Sequence, residues 1–282
     1  MLDKKLQITI VGLGLLGGSY VQGFYEAGYM VNGIDTDENA VQYALQQGWI
    51  KKGSTDVSLL KESDIVISTL YPLVLKEWIQ INGCLLKKGS IFTDVTGVKR
   101  QIIDIVNANI PETVEFIACH PMAGREFRGI QYADAHRFHD ANFIIVPTEH
   151  NTKKAIDLAE DIAHALKFQR ISVLTAEEHD KMIGYLSQLT HVIAVSLMNM
   201  SDNEHLVSLT GDSFRDLTRI ANINEKLWPQ LFILNKDYLV KEIDRFIHEM
   251  ESFKQMIETE DEEGMKKKLL QSTERRKKFD RK

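Results

Sequence analysis

Three groups of residues in this sequence are of types that do chemistry, at spacings that let them do it. The first is Gly12-Leu13-Gly14-Leu15-Leu16-Gly17, a G-x-G-x-x-G turn that follows a β-branched run and opens a stretch of helical spacing. The first glycine allows a tight turn, the second lets backbone approach a pyrophosphate, and the third lets the helix pack on the strand. N–H groups at the helix start, from Leu15 and Leu16 onward, then face the phosphates. Asp35 ends the next predicted strand, at about the ~20-residue distance this motif requires. A carboxylate there accepts hydrogen bonds from ribose hydroxyls and repels a 2′-phosphate, which favours NAD over NADP. Without a ligand, the same residues would be a glycine-rich turn and a helix cap.

The second group is two segments, Thr93-Asp94-Val95-Thr96-Gly97-Val98-Lys99 and His120-Pro121-Met122-Ala123-Gly124-Arg125-Glu126. Each lies at the carboxyl end of a predicted strand, the edge where open α/β sheets bind ligands. By itself the first reads as a polar turn capped by Asp94 or Thr96. In the second, His120 can accept a proton near neutral pH. Cys119 precedes it, but adjacent strand residues point to opposite faces, so a thiol–imidazole nucleophile is not expected. His136 and His139 sit in a charged loop without a matching ligand set, so no metal is expected. The third group is His191, in SQLTHVIAVS, and Arg219, in FRDLTRIA. A lone histidine on an apolar helix is ordinarily a satisfied core residue. Arg215, Asp216 and Arg219 share a helix face, which suits a surface ion pair, although a guanidinium also clamps carboxylates well. Spacing leaves both readings open.

The elements that must position these groups follow from periodicity. Strands are expected at Gln7–Val11, Met30–Asp35, Asp64–Leu70, Ser90–Val95, Val114–Cys119, Asn142–Val146 and Ile171–Leu174. Helical spacing runs over Leu15–Ala27, Asp37–Gln47, Lys99–Ala108 and Thr152–Leu166, with a further helix opening at Pro72. Strands alternating with helices imply a doubly wound, mostly parallel α/β sheet of Rossmann type. After Thr175 the strand signal stops. Ala176–Met200, Asp212–Ala221, Pro229–Ile257 and Glu260–Lys278 all read as helix. The expected division is therefore a dinucleotide-binding domain over 1–174 and an all-α substrate and dimerisation domain over 175–282. Ile243, Phe246, Ile247 and Met250 line one helix face, which favours a homodimer.

Composition bounds the function. The chain has 282 residues, 44% of them apolar, enough for a sizeable core. Its net charge of −6 argues against a general nucleic-acid binder, and the basic C-terminal tail suits a solvated helix end. Two cysteines cannot make a disulfide framework, which points to a reducing, cytoplasmic setting. No apolar run reaches the ~18 residues of a membrane span. Lys4 and Lys5 before ITIVGLGLLGGSYVQGF imitate a signal peptide, but four glycines suit a strand that turns into a helix.

Together these segments resemble the prephenate dehydrogenase family, with its arogenate-using relatives. The resemblance covers nearly the whole chain and rests on GLGLLGGS, TDVTGVK, HPMAGREFRG, the helix with His191, and FRDLTRIA followed by Trp228. It implies that His120 is the catalytic acceptor for the substrate's ring hydroxyl and that His191 is a second active-site histidine. Arg219 would bind a substrate carboxylate, with Asp216 as its ion-pair partner. Glu126 would stand near the entrance and Trp228 close to the substrate side chain. Several relatives carry a serine where this chain has Gly97, so Thr96 is held as the substitute donor. Relatives often have His and Pro where this chain has Gln188 and Thr190. The implied reaction is oxidative decarboxylation of prephenate to 4-hydroxyphenylpyruvate, giving CO2 and NADH, in tyrosine synthesis. Arogenate as substrate, another hydroxy-acid dehydrogenase, and an NAD-sensing protein without turnover are the competing readings. Those hydroxy-acid enzymes usually place a lysine on the first long helix of the second domain, where this chain centres His191 and has Lys181 only near the start.

Overall fold

The computed structural model describes residues 2–124 and 127–279. Eight strands form one sheet: β1 (Ile8–Val11), β2 (Val31–Ile34), β3 (Ile50–Ser54), β4 (Ile65–Ser68), β5 (Ile91–Asp94), β6 (Glu115–Pro121), β7 (Asn142–Val146) and β8 (Arg170–Val173). Their order is β3-β2-β1-β4-β5-β6-β7-β8. Every neighbouring pair is parallel except β6 and β7. The central strands β1, β2, β4 and β5 are buried along their whole length, as expected of strands covered on both faces. Alternate residues feed opposite cores: Ile65 and Ile67 join one apolar cluster, and Val66 joins the other.

The sheet is wrapped by α1 (Leu15–Glu26), α2 (Glu38–Gln46), α3 (Pro72–Asn82), α4 (Arg100–Asn107) and α5 (Lys153–Ala165). Local chemistry sets several of their starts. Pro72 occupies the first turn of α3, Asp37 caps α2 by accepting from the Asn39 N–H, and Thr152 caps α5 by accepting from the Ala155 N–H.

Two features of the sheet were not located by the sequence reading, although one antiparallel pair agrees with a mostly parallel sheet. Strand β3 was not expected. It is an edge strand of sequence IKKGS in which only Ile50 is buried, so it carries almost no hydrophobic period. The reversal at β7 has a topological cause. Residues 122–141 contain only short 3-10 turns, Ile130–Tyr132 and Ala135–Phe138, among those described. Without a crossover helix the chain re-enters the sheet at the edge it left, with Pro121 opposite Phe143. The chain therefore leaves β6 and enters β7 at the same edge of the sheet.

Beyond β8 the described chain is helical: α6 (Ala176–Ile183), α7 (Thr190–Asn199), α8 (Leu206–Leu209), α9 (Asp212–Thr218), α10 (Trp228–Leu234), α11 (Lys236–Glu258) and α12 (Glu262–Lys277). Thr175 and Glu178 make a reciprocal capping box at the start of α6. The single helix expected over 176–200 is interrupted by a π-helical turn, Gly184–Leu189. The helix expected over 229–257 is broken at Asn235, whose buried side-chain amide donates to the Asp180 carbonyl and to Gln188 Oε1, both at 2.8 Å. The Asn235 backbone stands outside helical geometry, at φ −122° and ψ 22°. The chain divides into two compact units, the first ending at Asn235 and the second beginning at Lys236. In the second unit α11 and α12 form a helical hairpin, joined by an ion pair between Lys268 and Glu249 at 2.6 Å.

Candidate active site

The glycine turn joins β1 to α1. Gly12 has φ +93°, which favours glycine, and its N–H donates to the Ile34 carbonyl at 2.8 Å. A Cβ on Gly17 would lie 1.8 Å from the Gly12 carbonyl oxygen, so the helix can approach the turn only with glycine there. A Cβ on Gly14 would meet nothing within 4 Å, because this residue opens onto a cleft. No side chain caps α1, and its first turn holds no acidic residue. Its N-terminal N–H groups are therefore open to an anion from the cleft side. Asp35 stands at the rim, its carboxylate fixed by the N–H groups of Leu13 and Asp37. An uncapped helix end, an open glycine and a rim carboxylate together fit a dinucleotide.

The second wall is the loop between β5 and α4. Asp94 and Lys99 are fully buried, with Lys99 Nζ 2.7 Å and 2.9 Å from the two carboxylate oxygens. Asp94 also accepts from the N–H of Thr96 at 2.9 Å. Thr96 lines the cleft, but its hydroxyl donates to Asp94 and receives Lys99 Nζ at 3.2 Å. This hydroxyl is committed to the buried cluster. Gly97 also lines the cleft, and a Cβ there would stand 3.8 Å from His120 Nε2, so the loop passes directly beside the imidazole.

His120 stands near the carboxyl end of β6, with Nδ1 2.8 Å from His179 Nε2. His179 Nδ1 is in turn 2.7 Å from Asp180 Oδ1. Asp180 accepts the backbone N–H groups of Lys99 at 2.7 Å and Arg100 at 3.0 Å. Burial, then the neighbouring His179 and Lys99, hold His120 well below the ordinary imidazole pKa of 6.5. His179 is also lowered, burial outweighing the hydrogen bond to Asp180. For Asp180 burial acts upward, but hydrogen bonds from His179 and the Arg100 N–H win, and its pKa falls. Cys119 points to the other face and is buried, with its thiol pushed up to about 12, mainly by burial. It is not poised as a nucleophile.

The helical wall comes from the π turn and α10. The turn brings Ser187, Gln188 and His191 to the cleft. His191 Nδ1 donates to the Ser187 carbonyl at 2.8 Å, and its ring stacks on Trp228 with centroids 3.6 Å apart. Gln188 is buried and donates to the Leu231 carbonyl at 2.9 Å, which clamps the π turn to α10. Arg219, in the 3-10 turn Arg219–Ala221, completes this side of the cleft.

One cavity of about 610 Å³ is lined by Gly12, Gly14, Leu15, Leu16 and Asp35 on one side and by Thr96, His120, His191, Arg219 and Trp228 on the other. Gly17 packs beneath the turn. Asp216 is exposed and outside the lining, and Glu126 lies outside the described residues. The sequence reading did not single out His179, Asp180, Tyr71 or Asn224. Tyr71 lines the cleft and its hydroxyl accepts from Asn224 Nδ2 at 2.7 Å. A trace of the buried pair was present as adjacent His179 and Asp180 just inside a capped helix, but only the fold shows where they lead.

This geometry agrees with comparisons to known proteins. The model of the prephenate dehydrogenase nucleotide-binding domain matches residues 25–171, and that of the prephenate dehydrogenase dimerization domain matches residues 175–271. The prephenate dehydrogenase of Lactococcus lactis subsp. cremoris (strain MG1363) is 32% identical over 254 residues, covering 85% of this chain and 68% of that protein. That of Bacillus subtilis (strain 168) is 28% identical over 276 residues, covering 94% of this chain and 74% of that protein. A crystal structure of prephenate dehydrogenase from A. aeolicus, in complex with hydroxyphenyl propionate and NAD+, superposes with a TM-score of 0.88 at 25% identity, covering 98% of each chain. With a dinucleotide turn and a half-buried histidine facing one cleft, and with both domain models matched along the chain, the protein belongs to the prephenate dehydrogenase family.

Proposed function

We propose that this chain catalyses the NAD-dependent oxidative decarboxylation of prephenate to 4-hydroxyphenylpyruvate, as a cytoplasmic homodimer in tyrosine synthesis. One observation carries the reading: an imidazole, His120, and a guanidinium, Arg219, line the same cleft as the glycine turn. Prephenate offers each a partner, a ring hydroxyl for the imidazole and carboxylates for the guanidinium. NAD, when bound, accepts the hydride from the hydroxyl-bearing carbon. Gly12, Gly14, the N–H groups of Leu15 and Leu16, and Asp35 would hold it, with the Asp35 carboxylate on a ribose and disfavouring a 2′-phosphate.

The protein groups then have distinct tasks. His120 Nε2 accepts the hydroxyl proton as that carbon becomes carbonyl-like; the ring carboxylate leaves as CO2, its bonding electrons make the ring aromatic, and the proton returns to the phenolate oxygen. Arg219 supplies charge-assisted hydrogen bonds to a carboxylate. His191, stacked on Trp228, lines the substrate side. Thr96 contributes by holding the Asp94–Lys99 cluster beneath the loop rather than by donating to the ring. In this scheme Asp216 is the ion-pair partner of Arg219. The division at 174/175 separates the cofactor half from the substrate half, and the matched domain models support it. Cytoplasmic residence is supported by two free cysteines, Cys84 and Cys119.

The test is a paired assay of prephenate and arogenate, each with NAD and with NADP. NADH and 4-hydroxyphenylpyruvate formed from prephenate are the expected products. Faster turnover of arogenate, or none of either substrate, would overturn the proposal.

A further inference from the structure

We infer that His179 and Asp180 are positioning residues that lock His120 in the tautomer whose Nε2 presents a lone pair to the cleft. The inference rests on the reading of His120 as the proton acceptor, but the tautomer can be measured without any reaction. It follows from counting donors. Asp180 Oδ1 takes the Lys99 N–H and Oδ2 takes the Arg100 N–H, and backbone amides can only donate. Arg100 Nε adds a third donor, 3.4 Å from Oδ2. Asp180 is therefore held as the anion, an acceptor at both oxygens. Its contact with His179 Nδ1 must then be an N–H donated by the imidazole. A neutral His179 so arranged has a bare Nε2, which accepts from His120 Nδ1–H. His120 is left with its lone pair on Nε2, the atom beside Gly97.

The surrounding charges support a neutral His179. His120 faces it from β6, Asp94 from β5, Lys99 and Arg100 from the start of α4, and Asp180 from its own helix. Lys99 is paired with Asp94, and Arg100 with Asp180. A protonated His179 would add an unbalanced cation to a buried cluster already neutral in sum. The same chain serves His120 once it has taken the proton. The imidazolium still donates from Nδ1 to His179, whose other nitrogen donates to the Asp180 anion. Asp180 thus steadies the developing charge through one intervening ring and need not be protonated. This follows the physics of an aspartate that orients a catalytic histidine, with a second histidine inserted between them.

The first experiment is 15N NMR of imidazole-labelled enzyme without substrate, with the His120 signals assigned by their loss in H120N. The expected resting state carries the proton on Nδ1 and none on Nε2. A proton on His120 Nε2 would overturn the proposal, whatever the substrate proves to be. The second experiment compares H179L, which removes the acceptor, with H179Q, whose amide oxygen can take the His120 N–H. In H179L, kcat should fall about 10²-fold with KM for prephenate within about threefold, since a misdirected base affects the chemical step. H179Q should keep the Nδ1–H tautomer and recover at least about tenfold over H179L. A folded H179L with kcat within about twofold of the parent, or a folded H179Q no better than H179L, would overturn it. If H179L does not fold, the parent tautomer and H179Q decide. If prephenate is not turned over, the function proposal fails while the NMR result still stands for the tautomer.

Discussion

At the scale of single residues, the cleft centres on one half-buried imidazole. Burial lowers the His120 pKa from 6.5, so the ring stays neutral, and an acceptor, at pH values where an exposed histidine would already be charged. The acid limb of kcat/KM for prephenate should accordingly lie below pH 6.5. A limb at or above that value would show that another group controls the reaction. Replacing His120 with Asn should cost 10²–10⁴-fold in turnover, roughly the range for losing a general base, with NAD affinity unchanged by calorimetry. The same shift has a stability consequence. His120 and His179 titrate lower in the folded chain than unfolded, so the unfolded chain binds more protons below pH 6.5. Their contribution is whole above that pH and is lost as pH falls toward the folded values. Arg219 acts differently, on binding. Arg219→Ala should mainly raise KM for prephenate, by about tenfold or more, with a smaller change in kcat. A fall in kcat alone would place its role in the transition state.

At the scale of elements, the site depends on where strands stop. His120 and the Asp94 loop come from neighbouring strands β6 and β5, whose parallel pairing puts both carboxyl ends at one edge. The buried Lys99–Asp94 pair holds that loop down, and Asp180 on α6 ties its far end to the helical half. The glycine turn is the least tolerant element. Gly17→Ala would set a methyl carbon against the Gly12 carbonyl and 2.7 Å from Thr69 Oγ1. The expected cost is about 1–3 kcal/mol or more in urea unfolding, with NAD binding lost by calorimetry. An alanine variant of unchanged stability and affinity would mean that the turn is looser than its geometry. The π turn is a second such element. It offsets the register between α6 and α7, so that His179 and Asp180 reach the buried cluster while Ser187, Gln188 and His191 still reach the cleft.

At the scale of the whole molecule, the dehydrogenase family assignment includes a dimerization domain matched over residues 175–271. Within the second compact unit, α11 exposes Val240, Ile247, Met250 and Ile257, each between 49% and 63% accessible. Their spacing of seven, three and seven makes one helical stripe, apolar surface that a second copy would bury. Sedimentation should give twice the chain mass, and the pair Ile247→Asp with Met250→Asp should shift it toward the single chain while circular dichroism stays unchanged. A parent that sediments as one chain would refute the dimer. Among the described residues, no helix is long and apolar enough to cross a membrane.

Much of this architecture was legible beforehand, for reasons that differ by region. Buried central strands announce themselves because both faces are covered and apolar residues predominate. The glycine turn is local, so its spacing carries its meaning, and the segments around His120 and Arg219 carried the family resemblance. Strand β3 was invisible because an edge strand with one buried residue has no period to read. The break at Asn235 and the π turn coincide with contacts between residues distant in sequence, which local periodicity does not carry: Asn235 bonds to the Asp180 carbonyl and to Gln188. For the same reason no local pattern could link His120 to His179, 59 positions apart, or Lys99 to Asp180, 81 apart. Sequence alone determined what depends on neighbours along the chain: strand burial, helix caps, the dinucleotide turn. The tertiary structure alone decided which polar groups meet in the interior, because an imidazole's tautomer and charge depend on partners brought together only by folding.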